Sequence, residues 1–406
     1  MLGLKEWTGE ALITKDFKLL LAIGAMYSLS VALSNTFVNV YIWKLTASYL
    51  QIGIYNLMIV IAQPVCFVFA GWIAKRVDRI VVFRVGVALL AIYYFFILWT
   101  GERATAFLWL IGFLLGMGYG FYWLAYNVLT FEITEPETRD FFNGLMGILT
   151  SFGSMAGPLI AGFIISRLGQ RGYHHIFSLS LFLFALATIC SFFMKNRSAR
   201  GPYQLLTIMK ERSQNRNWYM ITNASLAQGL REGIFAFLIN LHVYLVGKSE
   251  WALGKFAFIN SFVSMVAYYL VARFIKQTWR KQAILFGGIT LFFAVFLIVI
   301  RPSLSMFIVY GIVISLAYPL VLIPYISTLY DVIGSSREAG EWRVEYIVVR
   351  ELFLNLGRAF SIITFLITCS FLPAERIIPY LLVIFGAGYL FIYFFVARIA
   401  NDFMNG

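Results

Sequence analysis

Apolar residues run along this chain in long uninterrupted blocks, and the charged residues fall mostly in the short gaps between them. A helix crosses the hydrocarbon core of a bilayer in about 20 mostly apolar residues. Runs of that kind lie near 19–43, 46–74, 80–100, 105–130, 143–166, 173–194, 218–246, 253–275, 283–300, 303–330, 344–371 and 377–397. They are continuously apolar and do not alternate in ten-residue pieces, so they predict helices and not the strands of a barrel. The pattern therefore predicts an all-α membrane protein of twelve transmembrane helices. The eleventh run is the least apolar because it carries several charges.

Composition agrees with this pattern. The chain is 61% hydrophobic and 13% charged, whereas a soluble domain is nearer about 25% charged because its outside must carry polar groups. Cys66, Cys190 and Cys369 all lie inside apolar runs and read as small buried hydrophobes. The net charge of +13 would fit nucleic acid if it were clustered, but the basic residues are scattered among loops. With the N terminus inside, 21 of the 32 Lys and Arg fall on the cytoplasmic side and eight outside. The positive-inside rule thus places both termini in the cytoplasm. The first run is too long for a signal peptide, and residues 1–16 are expected as a cytoplasmic lead-in at the membrane interface. The short loops point to a multi-pass protein of a prokaryotic plasma membrane. The bilayer is then its main partner, no nucleic acid is expected, and the working unit is taken as a monomer.

The longest connection, 195–217, is basic and polar, and it divides the chain into an N-terminal bundle (1–194) and a C-terminal bundle (218–406). A weak internal repeat supports the division. At an offset of 200, Gly157-Pro158 falls on Gly357-Arg358 and the acid-rich 132–140 loop falls near 331–341. At an offset near 204, Asn56 falls on Asn260 and Arg76 on Arg280. Order and spacing are kept, as parallel six-helix halves require.

Two motifs now matter. After the second run stands Gly71-Trp-Ile-Ala-Lys75-Arg76-Val-Asp78-Arg79, and the fifth run carries Gly153-Ser-Met-Ala-Gly157-Pro158-Leu-Ile-Ala-Gly162. On these residues and the 6+6 layout, the whole chain resembles the major facilitator superfamily. The first segment is similar to the family's G-x-x-x-D-R-x-G-R gating loop, except that Lys75 replaces the Asp and Asp78 the second Gly. The resemblance implies that the inter-domain gating contact differs here. The second is similar to a motif of the family's antiporters and exporters. Small residues at that spacing also serve plain helix packing, so both readings stay open. The fourth run has Gly116-Met-Gly118-Tyr-Gly120 where proton-coupled antiporters of the family often carry an Arg.

Ionisable residues at membrane depth are costly and need a partner or a task. Two clusters occur, both in the C-terminal half: Gln228, Arg231 and Glu232 in the seventh run, and Arg350, Glu351, Asn355 and Arg358 in the eleventh. Glu351, Asn355 and Arg358 share one helix face. One reading is a buried ion-pair network, such as Arg231 with Glu351 or Arg358 with Glu232. The other makes one Arg an anion site and one Glu a proton carrier, and the two readings are compatible. The N-terminal half instead offers Asn35 in the first run and Tyr119, Tyr122, Trp123, Tyr126 and Asn127 in the fourth. Such a face suits a sugar ring or an amphiphile, or simply packs against neighbouring helices. No phosphate loop of the form G-x-x-x-x-G-K-[ST] is present, so this chain is not read as driving itself with ATP. No cofactor, metal site or catalysis is expected.

The resemblance implies a secondary transporter opening alternately to each side of the membrane. The fifth-run motif tips the reading towards export or outward flipping of a small molecule or amphiphile, coupled to protons through Glu232 or Glu351. The competing expectation is a sensor or assembly partner built on the same scaffold.

Overall fold

The computed structural model describes residues 14–133, 136–197, 201–336 and 339–399. The expected lead-in at 1–16 lies almost wholly outside them. Among the described residues there are helices and no strands. In the N-terminal half these are α1 (Lys15–Thr46), α2 (Tyr49–Arg76), α3 (Arg79–Thr100), α4 (Leu108–Ile133), α5 (Pro136–Leu168) and α6 (Gln170–Phe192). The C-terminal half holds α7 (Arg216–Gly247), α8 (Glu250–Phe274), α9 (Arg280–Ile300), α10 (Leu304–Gly334), α11 (Ala339–Phe371) and α12 (Ala374–Ala397). α3 and α4 join through a tight 3₁₀ segment, Gly101–Phe107, with little interruption of the apolar pattern. The charged eleventh run is a full helix, with non-helical backbone only at Trp342. A short helix, Leu205–Glu211, lies in the connection between the halves.

Side-chain caps fix several of these boundaries. Ser48, Asp78, Asn215, Ser249 and Ser303 each accept a backbone N–H in the first turn of the helix that follows. The sharpest corners repeat between halves. α1 ends on Ala47 (φ 47°) and α7 on Lys248 (φ 49°), both left-handed, and each is followed at once by a capping serine. A second device repeats too. Arg79 pairs with Glu132 at the end of α4, and Arg280 pairs with Asp331 near the end of α10 at 2.6 Å. The two halves are therefore built by the same local chemistry on different sequences.

Helices approach closely where side chains are absent. Gly112, Gly116 and Gly120 of α4 lie one turn apart and face the backbone of α2 at Tyr55, Ile59 and Gln63. Gly229 and Gly233 do the same for α7 on the α11 backbone at Leu354 and Arg358. Without a hydrophobic drive between helices in lipid, such close packing is a main source of cohesion. The halves meet along α5–α8 and α2–α11. Gly157 of the fifth-run motif seats α5 on Ala32 and Leu33 of α1, Gly153 lies near Leu29, and Gly162 with Pro158 faces Gly254 of α8.

Candidate functional site

α1, α2 and α4 from one half and α7, α8, α10, α11 and α12 from the other enclose a central cavity of about 810 Å³. Its N-terminal wall is neutral. Asn35, Asn39, Asn56, Gln63 and Asn127 supply amides, and Tyr119 and Trp123 supply rings. Asn56 donates to Asn39 at 2.8 Å and to the Ile52 carbonyl at 2.9 Å, which fixes that pair across α1 and α2.

The opposite wall is charged. On α7, Gln228, Arg231, Glu232 and Phe235 project from adjacent turns, and α11 adds Arg350, Glu351 and Arg358. Arg358 donates to the Glu232 carboxylate through Nη2 at 2.6 Å and Nε at 3.2 Å. Gln228 donates to the other Glu232 oxygen at 2.7 Å, and the Tyr389 hydroxyl donates there at 3.2 Å. Arg350 pairs with Glu351 and donates to Gln228 Oε1 at 3.0 Å. Gln228 thus links the two ion pairs into one network.

Of the two pairings considered from sequence, Arg358 with Glu232 forms and Arg231 with Glu351 does not. Arg231 is 6% exposed, and its guanidinium lies 4.5 Å from the Phe235 ring centroid and 4.6 Å from that of Tyr389. Its Nε and Nη2 are buried and have no hydrogen-bond partner among the described residues. Three guanidiniums against two carboxylates leave this wall net positive.

Three expected substrate contacts are placed differently. Asn355 is 1% exposed and does not line the cavity. It donates to the Glu351 carbonyl at 3.0 Å and accepts from Arg358 Nη1 at 3.3 Å. The spacing that put it on the face of Glu351 and Arg358 makes it their spacer. Tyr122 and Tyr126 turn away from the central cavity to line a second one of about 540 Å³ between α1, α4 and α5. There Tyr122 stacks on Tyr27 at 4.0 Å. Trp123 lines both cavities.

Lysines close contacts between the halves at both ends. On the face carrying the α2–α3 corner, Lys75 forms an ion pair with buried Glu345 of α11 at 3.0 Å and donates to the Glu341 carbonyl at 2.6 Å. The Lys that departs from the family's gating loop therefore finds an acid on the partner half. The connecting segment braces this contact, with the Gln204 amide donating to Glu345 at 3.1 Å. Tyr203 packs beside Gly71, and burial with the nearby Glu345 carboxylate pushes its phenol pKa up. Of the other loop residues, Arg76 lies over Trp72, Asp78 caps α3 and Arg79 holds Glu132. At the opposite face, Lys44 of α1 pairs with Glu250 of α8 at 2.6 Å, and the Tyr173 hydroxyl donates to the same carboxylate oxygen at 3.0 Å.

Glu345, Glu250, Phe235 and Tyr389 were not legible as site residues. Glu250 reads in sequence as an ordinary helix start, and Glu345 as one more charge in a polar run. Their partners lie some 200 residues away or more (206 and 270 along the chain).

A cavity walled by helices from both halves of the chain, with buried charges along one wall, is the architecture of a membrane transporter. The chain belongs to the Major Facilitator Superfamily, whose profile matches residues 20–362. It is 52% identical over 400 residues to the uncharacterized protein YqgE of Bacillus subtilis (strain 168), covering 98% of this chain and 93% of that one. A weaker similarity, 28% over 147 residues, spans 35% of this chain and 37% of the proton-coupled antiporter flippase LtaA of Staphylococcus aureus (strain USA300). In fold it is similar to the human organic anion transporter MFSD10 (TM-score 0.64, 15% identity, 94% of this chain and 98% of that). The nucleoside transporter NupG is similar in the same way (TM-score 0.68, 13% identity, 94% and 99%).

Proposed function

We propose that this transporter works by alternating access as a monomer in a bacterial plasma membrane, with both termini in the cytoplasm. Its cargo is a small amphiphile with an anionic group, exported or flipped outward in exchange for protons. The observation that carries this reading is the asymmetry of the central cavity. An amide and aromatic wall faces a wall of three arginines and two glutamates, and an aromatic side cavity adjoins through Trp123. Amides and rings suit a polar or glycan body, arginines suit an anion, and the side cavity suits an apolar part. The partial similarity to a flippase of the proton-coupled antiporter type supports the direction and the coupling.

Glu232 is the coupling group in this reading. It accepts from Arg358, Gln228 and Tyr389 together, so protonating it removes the charge that strengthens all three bonds and loosens α7 from α11 and α12. Purified protein in liposomes, given fluorescent anionic amphiphiles and an imposed pH gradient, tests the proposal. Wild type should move the probe faster with the gradient than without it. Glu232→Gln should abolish the gradient's effect while leaving gradient-free exchange measurable. Failure of wild type to move any amphiphile would overturn the proposal.

A further inference from the structure

The three guanidiniums of the central cavity differ in what holds them. Arg358 is committed to Glu232, and Arg350 to Glu351 and Gln228. Arg231 forms no ion pair among the described residues, although it is buried to the same degree as core side chains. A buried cation without a hydrogen-bonded counter-charge is costly, and natural sequences keep one where it has a task.

Its geometry indicates which task. The two nitrogens without partners, Nε and Nη2, share one edge of the planar guanidinium. That edge donates two parallel N–H groups and matches two oxygens of a carboxylate or phosphate. Phe235 and Tyr389 hold the guanidinium through their ring faces, so its orientation is fixed without using a donor. The Tyr310 hydroxyl is buried beside the Arg231 guanidinium, and neither it nor Asn260 Oδ1 on α8 makes a hydrogen bond of good geometry among the described residues. All of these residues line the same cavity. Three of these four polar atoms are able to donate to an oxyanion.

Resting on the reading of this cavity as a transport site, we infer that the free edge of Arg231 is the anion subsite. It takes a carboxylate or phosphate group of the cargo side-on, and the Tyr310 hydroxyl is the third donor. Arg350 and Arg358 serve the network and not the cargo. The anion reaches the subsite either as a small soluble ion or as the headgroup of a chain-bearing amphiphile, and the chemistry at Arg231 is the same for both.

Binding to the full chain in nanodiscs of neutral phosphatidylcholine tests this. The probes are inorganic phosphate, acetate, octyl phosphate, octanoate and, as the neutral comparison, octyl glucoside. Anionic probes should bind wild type, and Arg231→Gln should weaken them about ten- to a hundredfold, as expected for loss of charge-assisted hydrogen bonds. Arg231→Lys keeps the charge but loses the fork, so it should restore only part of the affinity. Octyl glucoside should bind all three proteins alike. Affinity for phosphate and acetate themselves assigns a soluble anion, and affinity confined to the octyl probes assigns an amphiphile headgroup; both support the subsite. A further readout separates binding from structure. Without ligand, Arg231→Met should melt no lower than wild type, because it removes a buried unpaired charge. Anion affinity unchanged in the Arg231 variants would overturn the inference. So would Arg231→Met melting well below wild type while anions bind Arg231→Lys as tightly as wild type. In either case amphiphile movement in liposomes would show the transport reading still standing.

Discussion

Asn355 shows how individual residues in this bundle acquire their roles. Its amide donates to the Glu351 carbonyl and accepts from Arg358, so it stands between one member of each ion pair. Replacing it by Leu would leave Arg358 Nη1 without this acceptor, at a position where Asn355 itself is buried. A lost buried hydrogen bond of this kind costs about 1–3 kcal/mol. Asn355→Leu should therefore lower the thermal unfolding midpoint, while affinity for a neutral amphiphile stays near that of wild type. A large, selective loss of ligand affinity with no loss of stability would make Asn355 a cargo contact. The sequence placed Asn355, Glu351 and Arg358 on one helical face correctly. It did not indicate which of them point into the cavity, because face assignment follows from the 3.6-residue period while depth depends on the neighbouring helix.

At the scale of elements, the fifth-run motif acts as a contact surface facing two ways. Gly157 rests on α1 within its own half, and Gly162 rests on α8 of the other half. A methyl group at Gly162 would meet the Glu250 carbonyl oxygen at 2.6 Å, and backbone does not move aside as a flexible side chain does. Gly162→Ala should cost about 1–3 kcal/mol through overpacking, read as a lower melting temperature of the purified protein. It should also disturb Lys44–Glu250, because Glu250 begins α8 at the same crossing. A variant as stable as wild type would show that α5 and α8 are not held together at this crossing. The glycine spacing was readable in the sequence. The partners were not, since a small-residue stripe says only that some backbone comes close.

For the molecule as a whole, the proposed alternating access would set the two lysine contacts against each other. Lys75–Glu345 joins the halves at the face with the α2–α3 corner, and Lys44–Glu250 joins them at the other. Alternating access requires that neither contact hold permanently. Removing one partner of a buried ion pair costs about 3–5 kcal/mol in the state that contains it. Glu345 is fully buried, whereas Lys44 is about one-third exposed, so removing a partner is expected to cost more at the first contact. Glu345→Gln should shift the population strongly towards opening at the Lys75 face. Glu250→Gln should shift it more weakly towards opening at the other. Distances between spin-label pairs across each face would measure both shifts. Equal, unshifted distances in both variants would exclude these pairs as gates. Lys75→Glu combined with Glu345→Lys should restore the wild-type distribution in part.

The hydrophobic pattern by itself determined the helix count and the helical character. Each of these follows from length and local composition, because a bilayer demands about 20 apolar residues per crossing and satisfied backbone in every one. The departure at Lys75 was likewise visible in the sequence, as a charge of the wrong sign for the family's loop. Only the tertiary structure decided that Lys75 meets Glu345, that Arg358 takes Glu232 and that Arg231 keeps a free donor edge. The physical reason is common to all three. A charge's role depends on which opposite charge lies within a few ångströms, and that is set by helices packed from distant parts of the chain.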